Sequence, residues 1–197
     1  AGRNDLDIIK DLADPKGEHA GLIPSLIQSG QAPLVLLENF AVLAPYAYGR
    51  TSFYNDPRSQ LLKCIESAKS KLSFDPNRIF LFGFSDGATV AVELMTTRRF
   101  AGAIVCSYGY TGQSLPAPAR ERLVGLPMWV FHSADDVIFN VSNSDRLVQQ
   151  VHARYNRYDR DPENLPARVR GHSMGITASK LPEVYEWMLQ QPPIGSF

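Results

Sequence analysis

The sequence predicts an α/β fold, a doubly wound and mostly parallel sheet with helices on both faces. Three short apolar runs, Ile79–Phe82, Ala101–Ser107 and Pro127–His132, are each typical of a strand that is buried on both faces. Stretches with helical periodicity separate them. No repeat, linker or low-complexity tract divides the chain, so residues 1–197 are expected to form a single domain.

Four helices are predicted from apolar spacing and turn residues. Residues 59–72 and 142–155 place their apolar side chains at three- and four-residue intervals, which gives one apolar face. Residues 88–97 follow the first apolar run and have a helical composition. Residues 182–191 begin with proline, which is favoured in the first turn of a helix.

Two further strands are predicted, Phe40–Ala44 and Ala167–Arg170. A strand that would lie between Phe40–Ala44 and Ile79–Phe82 is not found in the sequence. Leu34–Leu37 cannot take its place, because parallel neighbours need a crossover of about a dozen residues or more. The N-terminal strands are therefore expected to be absent, or to be supplied by a partner chain or an upstream segment.

The composition excludes several classes of function. Lys and Arg total 20 and Asp and Glu total 20, so the formal net charge is zero and no nucleic-acid partner is expected. No apolar run is long enough to span a membrane, and a cytoplasmic protein is predicted, with a removed targeting segment left open. No cysteine or histidine spacing is typical of a metal site, so neither a metal nor a cofactor is predicted.

The central motif is Gly83-Phe84-Ser85-Asp86-Gly87, a G-x-S-x-G pattern between a predicted strand and a predicted helix. A serine at such a switch lies in a tight turn that lifts its hydroxyl clear of the sheet. Glycines are expected on both sides because a Cβ there would collide with the strand or the helix. The N–H of Asp86 and the positive end of the helix dipole would suit a developing oxyanion.

A serine nucleophile needs a base and an acid that orients the base. His172 is the candidate base, because it follows the predicted strand Ala167–Arg170. Asp135 and Asp136 follow the third apolar run, and either could be the acid while the other caps the turn. The chain order serine, acid, histidine is the one expected for an α/β hydrolase.

The two other histidines near these elements have simpler interpretations. His132 ends a predicted strand and is expected to be a structural hydrogen-bonding residue at the start of the turn that carries Asp135 and Asp136, the acid turn. His152 lies within the predicted helix 142–155 among polar residues and is expected to be solvated.

Aromatic residues after predicted strands are candidates for a substrate pocket. Tyr46, Tyr48 and Tyr54 lie in a glycine-containing loop, and Tyr108 follows the second apolar run. Their composition favours an apolar or aromatic pocket wall, although simple surface packing is the alternative.

Residues 40–188 resemble the esterase branch of the α/β hydrolases, which includes dienelactone-hydrolase-like, phospholipase/carboxylesterase and polyhydroxybutyrate-depolymerase-like proteins. The resemblance rests on four segments: Phe82–Ala88, Val130–Ile138, Gly171–His172 and Pro182–Leu189. In that family the acidic residue stands four positions after a histidine, which implies Asp136 rather than Asp135.

The resemblance implies a serine hydrolase that cleaves a small ester or thioester through an acyl-enzyme. Ser85 would be the nucleophile of a catalytic triad with His172 and Asp136. The family's His-Gly loop, which supplies a second oxyanion N–H, is not found here, and Gly2 is the candidate replacement. The alternative is a catalytically impaired hydrolase fold that binds a ligand or a partner. Esterase, thioesterase and lipase activities stay open.

Overall fold

The structure, a computed structural model, describes residues 10–17, 19–45, 57–109 and 115–196. Its described residues contain one four-stranded parallel sheet, which confirms the predicted α/β fold class. The strands lie in chain order: β1 (Phe80–Phe84), β2 (Gly102–Cys106), β3 (Met128–Ser133) and β4 (Arg154–Tyr158).

Helices flank this sheet, and none in the described part of the chain has the length and apolar character needed to cross a membrane. In chain order they are α1 (Ile23–Gln28), α2 (Leu34–Asn39), α3 (Pro57–Lys69), α4 (Asp86–Met95), α5 (Ala117–Leu123), α6 (Ser142–Val151), α7 (Met174–Ser179) and α8 (Pro182–Gln190).

The core has two layers because successive strand side chains point to opposite faces. In β2, Ala103 and Val105 join an apolar cluster with α3, α4, α5 and α6. Ile104 and Cys106 join a second cluster with α1, α2, α7 and α8. Helices therefore cover both faces, as the sequence predicts.

The two layers come from different parts of the chain. Helices α4, α5 and α6 connect successive parallel strands that add in one direction, and right-handed crossovers then place all three on the same face. Helix α3 joins this first face although it precedes β1, and the opposite face is covered by α1, α2, α7 and α8, which precede β1 or follow β4. There the ring of Phe40, after α2, meets the ring of Tyr185 in α8 at a centroid distance of 6.0 Å.

The predicted strand Ala167–Arg170 is wrong, and the fourth strand is Arg154–Tyr158. Ala167–Val169 instead form one turn of 3-10 helix after Pro166, whose fixed φ and missing N–H favour a turn. Helix α6 also ends earlier than predicted, because His152 adopts a left-handed conformation with φ of 58° and caps it. His152 is exposed, as predicted.

The strand β4 is not predicted from the sequence, because its residues are mostly charged or polar. It pairs with β3 and forms one margin of the described sheet, where exposed polar residues are tolerated. The guanidinium of Arg154 lies 3.4 Å from the ring centroid of Trp129, and Asn156 accepts a hydrogen bond from the indole N–H of Trp129 at 3.1 Å. These contacts with Trp129 stabilise β4 as a strand although its sequence is polar.

The predicted strand Phe40–Ala44 is also wrong. Leu34–Asn39 is the helix α2, and residues 40–44 continue from it as irregular, mostly exposed chain. The segment therefore does not pair with β1 in the sheet. Instead Phe40 packs on its face, with its ring 6.2 Å from that of Phe80.

Candidate active site

Ser85 occupies a strained turn between β1 and α4. Its φ is 56° and its ψ is −122°, and its N–H donates to the carbonyl of Cys106 in β2 at 3.0 Å. A Cβ on Gly83 would lie 2.3 Å from the carbonyl oxygen of Gly87, so the predicted collision is confirmed there. It is wrong for Gly87, where a Cβ would have no atom of the described residues within 4 Å.

His172 connects Ser85 to Asp136. Its Nε2 lies 2.9 Å from the hydroxyl oxygen of Ser85, and its Nδ1 lies 2.8 Å from Oδ2 of Asp136. Because Nδ1 faces a carboxylate, Nδ1 carries the proton and donates it, which leaves Nε2 as an acceptor for the serine O–H. The structure thus brings the three predicted residues into one hydrogen-bonded chain.

Two phenylalanines, which the sequence does not single out, hold the imidazole of His172. The ring centroid of Phe84 lies 5.2 Å away and that of Phe139 lies 5.3 Å away. The side chain of His172 keeps only 10% of its surface exposed. This packing restricts rotation of the ring, so its two nitrogens stay aligned with Ser85 and Asp136.

The loop that carries His172 fits closely against the turn that carries Asp136. Gly171 has φ of +76°, and a Cβ there would lie 2.3 Å from backbone atoms of Asp135 and Asp136. Next to this contact the N–H of Val137 donates to the carbonyl of Arg170 at 3.0 Å. The backbones of the two loops therefore touch directly, which fixes the distance between base and acid.

Asp136 is held as a buried, ionised carboxylate. Its side chain is 0% exposed, and its Oδ1 accepts the N–H groups of Ile138 at 2.8 Å and Phe139 at 2.9 Å. Burial works to raise the pKa of this carboxyl. Hydrogen bonds from His132, His172 and the Phe139 N–H outweigh burial and hold the pKa of Asp136 well below its usual range.

His132 is a buried hydrogen-bonding residue beneath the acid turn, which agrees with its interpretation from sequence. Its Nε2 lies 3.0 Å from the carbonyl oxygen of Phe139 and 3.2 Å from Oδ2 of Asp136. Its Nδ1 lies 2.7 Å from the hydroxyl of Ser144 in α6. Because both partners of Nε2 are acceptors, this nitrogen carries the proton, and His132 contacts the same carboxylate oxygen of Asp136 as His172 does.

Asp135 has different partners. Its Oδ1 accepts from the hydroxyl of Ser133 at 2.6 Å and from the N–H of Asp161 at 3.1 Å. Its Oδ2 lies 3.9 Å from Nε of Arg170. Of the two adjacent carboxylates, Asp136 makes the contact with His172, while Asp135 joins the acid turn to a neighbouring loop.

The remaining predicted site residues divide between the described and the undescribed parts of the chain. Asp86 is the first residue of α4, so the positive end of the helix dipole lies beside Ser85. Tyr108 is 2% exposed and packs in the cluster formed with α3 to α6, and its contact with a substrate stays a prediction. Gly2, Tyr46, Tyr48 and Tyr54 lie outside the described residues.

No group of three or more potential metal ligands is found in the described ranges.

The depressed pKa of Asp136 predicts a specific loss of stability in acid. A carboxyl whose pKa is lower in the folded chain contributes stability above its unfolded pKa of about 4, and this contribution is lost as pH falls through the folded pKa. The difference in unfolding free energy between wild type and Asp136→Asn should therefore shrink below about pH 4. Denaturant unfolding at pH 7, 5, 4 and 3 measures this difference.

The control for this measurement is Asp159→Asn, because the Asp159 side chain is fully exposed. Its unfolding free energy should follow that of wild type throughout the series. A wild-type minus Asp136→Asn difference that stays constant from pH 7 to pH 3 would contradict the role assigned to the buried carboxylate.

Comparisons with known proteins match this chain to one family model and to several solved structures. The family model described as phospholipase/carboxylesterase matches residues 54–180. Among solved structures, a thermostable esterase is 27% identical with a TM-score of 0.57, over 70% of this chain and 37% of that one. A putative dienelactone hydrolase from Klebsiella pneumoniae is 16% identical with a TM-score of 0.45, over 66% of this chain and 59% of that one. Est1E from Butyrivibrio proteoclasticus with bound ferulic acid is 13% identical with a TM-score of 0.48, over 72% of this chain and 70% of that one.

The comparison with curated proteins found no match. The chain spans about 37% of the length of the thermostable esterase and 59% of that of the dienelactone hydrolase. The family model nevertheless matches more than half of this chain and includes Ser85, Asp136 and His172. The chain therefore belongs to the phospholipase/carboxylesterase family of the α/β hydrolases.

Proposed function

We propose that this protein is a serine hydrolase that cleaves a small ester or thioester through an acyl-enzyme on Ser85. The observation that carries the proposal is the hydrogen-bonded chain from Ser85 through His172 to Asp136, with distances of 2.9 and 2.8 Å. A serine hydroxyl gains no nucleophilicity from packing alone, whereas an imidazole with the correct tautomer can take its proton.

Acylation would begin when the Ser85 oxygen attacks the carbonyl carbon of the ester. The serine proton passes to Nε2 of His172 as the new C–O bond forms, and the carbonyl oxygen becomes an oxyanion. The ionised Asp136 stabilises the resulting imidazolium through Nδ1–H. Collapse of the tetrahedral intermediate breaks the bond to the leaving alcohol or thiol, which takes the proton from Nε2.

Deacylation repeats these transfers with water. A water molecule gives its proton to Nε2 of His172 and attacks the acyl carbon of the Ser85 ester. When this second intermediate collapses, the proton returns from Nε2 to the Ser85 oxygen and the carboxylic acid is released. The proposal thus needs no metal or cofactor, because the three side chains provide nucleophile, base and orienting acid.

The oxyanion would be stabilised next to α4. Asp86 follows Ser85 directly and begins a ten-residue helix, so its backbone N–H and the positive end of the helix dipole would stabilise the negative charge that develops beside Ser85. We assign Asp86 one oxyanion N–H and leave Gly2 as the candidate for the other.

The test is covalent labelling combined with turnover. Purified wild-type protein should react with a fluorophosphonate at Ser85, located by mass spectrometry of peptides, and should hydrolyse p-nitrophenyl acetate or butyrate. Turnover should fall in acid, because a protonated histidine cannot act as base.

Each outcome of this test decides between the two functions. Labelling at Ser85 with turnover supports the hydrolase. A folded wild-type protein that is neither labelled nor able to hydrolyse the esters would instead indicate a binding module. Turnover that stays constant from pH 5 to pH 9 would contradict a histidine base.

A further inference from the structure

The loop after β4 places Asp161 against the residue that follows His172. Oδ2 of Asp161 accepts two hydrogen bonds from Ser173, one from its N–H at 2.9 Å and one from its hydroxyl at 2.5 Å. Oδ1 accepts the N–H of Glu163 at 2.9 Å. Three donors thus converge on one carboxylate.

Ser173 is held firmly between the His172 loop and helix α7. It is fully buried, and its carbonyl accepts the N–H groups of Ile176 and Thr177, which begin helix α7. Adjacent Cα atoms are fixed about 3.8 Å apart. A carboxylate that fixes Ser173 therefore also limits the position of the His172 backbone.

The same residue reaches the acid turn. The backbone N–H of Asp161 donates to Oδ1 of Asp135 at 3.1 Å, and that oxygen also accepts the hydroxyl of Ser133 at 2.6 Å. Asp161 therefore bonds through its side chain to the loop of His172 and through its backbone to the turn of Asp136. The two loops also touch directly, through the Val137–Arg170 hydrogen bond and the packing of Gly171, besides the side-chain contacts described above.

We propose that Asp161 is a positioning residue that acts through Ser173 and, together with the direct contact between the two loops, holds His172 at its distance from Asp136. The inference rests on the proposed function, because it concerns the geometry of the same base and acid. Without the Asp161 carboxylate, Ser173 loses both of the hydrogen bonds that it donates to Asp161, so the backbone next to His172 is held less tightly. A displacement of about 1 Å in a catalytic group can cost roughly 100-fold in rate.

The test compares Asp161→Ala and Asp161→Asn with a matched aspartate elsewhere. Asp145 is the control, because its carboxylate accepts the hydroxyl of Tyr155 at 2.8 Å and pairs with Arg157 at 3.3 Å, and neither partner belongs to the Ser85–His172–Asp136 chain. Asp161→Ala should lower kcat for p-nitrophenyl butyrate by about 10- to 100-fold, with KM within about twofold. Asp161→Asn keeps an acceptor oxygen for Ser173 and should recover part of the loss. Asp145→Ala should leave kcat within about twofold of wild type.

Amide hydrogen exchange gives a readout that does not depend on activity. In Asp161→Ala the amides of residues 172–177 should exchange about tenfold faster or more, and Asp145→Ala should not change them. If Asp161→Ala does not fold, Asp161→Asn must still show a reduced kcat or faster exchange. Unchanged kcat and unchanged exchange in the folded variant overturn the inference. An inactive, unlabelled wild type would contradict the proposed function, and unchanged exchange would then independently reject the role of Asp161.

Discussion

Replacing Ser85 by alanine is expected to reduce ester hydrolysis to background, a loss of about four to six orders of magnitude in kcat. The proposed reaction forms its covalent bond at this hydroxyl, so no neighbouring group can complete the same path. The fold should survive, since the change removes one hydrogen bond to His172 and costs less than about 1.5 kcal/mol in unfolding free energy. Turnover and thermal unfolding of the purified variant measure the two effects.

Ser107 offers a matched control for Ser85. It lies just beyond the end of β2, next to β1, and has φ of 50°, close to the 56° of Ser85. Its hydroxyl is buried and has no hydrogen-bond partner in the described residues. Ser107→Ala should therefore keep turnover within about threefold of wild type. Undiminished hydrolysis by Ser85→Ala would reject Ser85 as the nucleophile.

Replacing Gly171 by alanine is expected to lower both stability and activity. A positive φ of +76° costs a non-glycine residue about 1–3 kcal/mol. In addition, the new Cβ would lie 2.3 Å from backbone atoms of Asp135 and Asp136, where no flexible side chain can move aside. The loops of base and acid must separate, so we expect kcat to fall about 100-fold and the midpoint of thermal unfolding to fall by about 6–12 °C.

Gly125→Ala separates the two causes. Gly125 has nearly the same φ of +78°, but a Cβ there would meet no described atom within 4 Å. It should therefore show the backbone cost alone, with a smaller decrease in the thermal midpoint and an unchanged kcat. If the two variants lose the same stability and the same activity, the contact between the loops does not hold the site together.

The sequence predicts the parts of this molecule that local chemistry determines. Ile79–Phe82 and Gly83-x-Ser85-x-Gly87 predict the strand, the turn and the helix that follows, and the structure has these as β1 and α4. Family spacing, and not residue chemistry, predicts Asp136 rather than Asp135, because both residues are aspartates. In the structure, Asp136 accepts from His172 and is also contacted by His132, whereas Asp135 accepts from Ser133 and Asp161.

The sequence-based predictions of strands fail where tertiary contacts override the local pattern of apolar and polar residues. Arg154–Tyr158 is polar enough for a loop, and it becomes a strand because β3 supplies hydrogen bonds and Trp129 supplies a surface for Arg154. Phe40–Ala44 is apolar enough for a strand, but its only aromatic residue packs on the face of the sheet. Asp161 could not be found from the sequence, since its partners stand 12 and 26 positions away.

The division of the core into two layers has a consequence for how the chain folds. One layer closes by crossovers between successive strands, about 20 residues long, whereas the contact of Phe40 with Tyr185 closes a loop of roughly 145 residues. Loop-closure entropy rises by about 0.6 kcal/mol for each doubling of length, which makes the longer closure about 1.7 kcal/mol more costly. Chain topology thus favours early assembly of the layer that contains α4, α5 and α6. The layer that contains α7, which begins directly after His172 and Ser173, would be completed later.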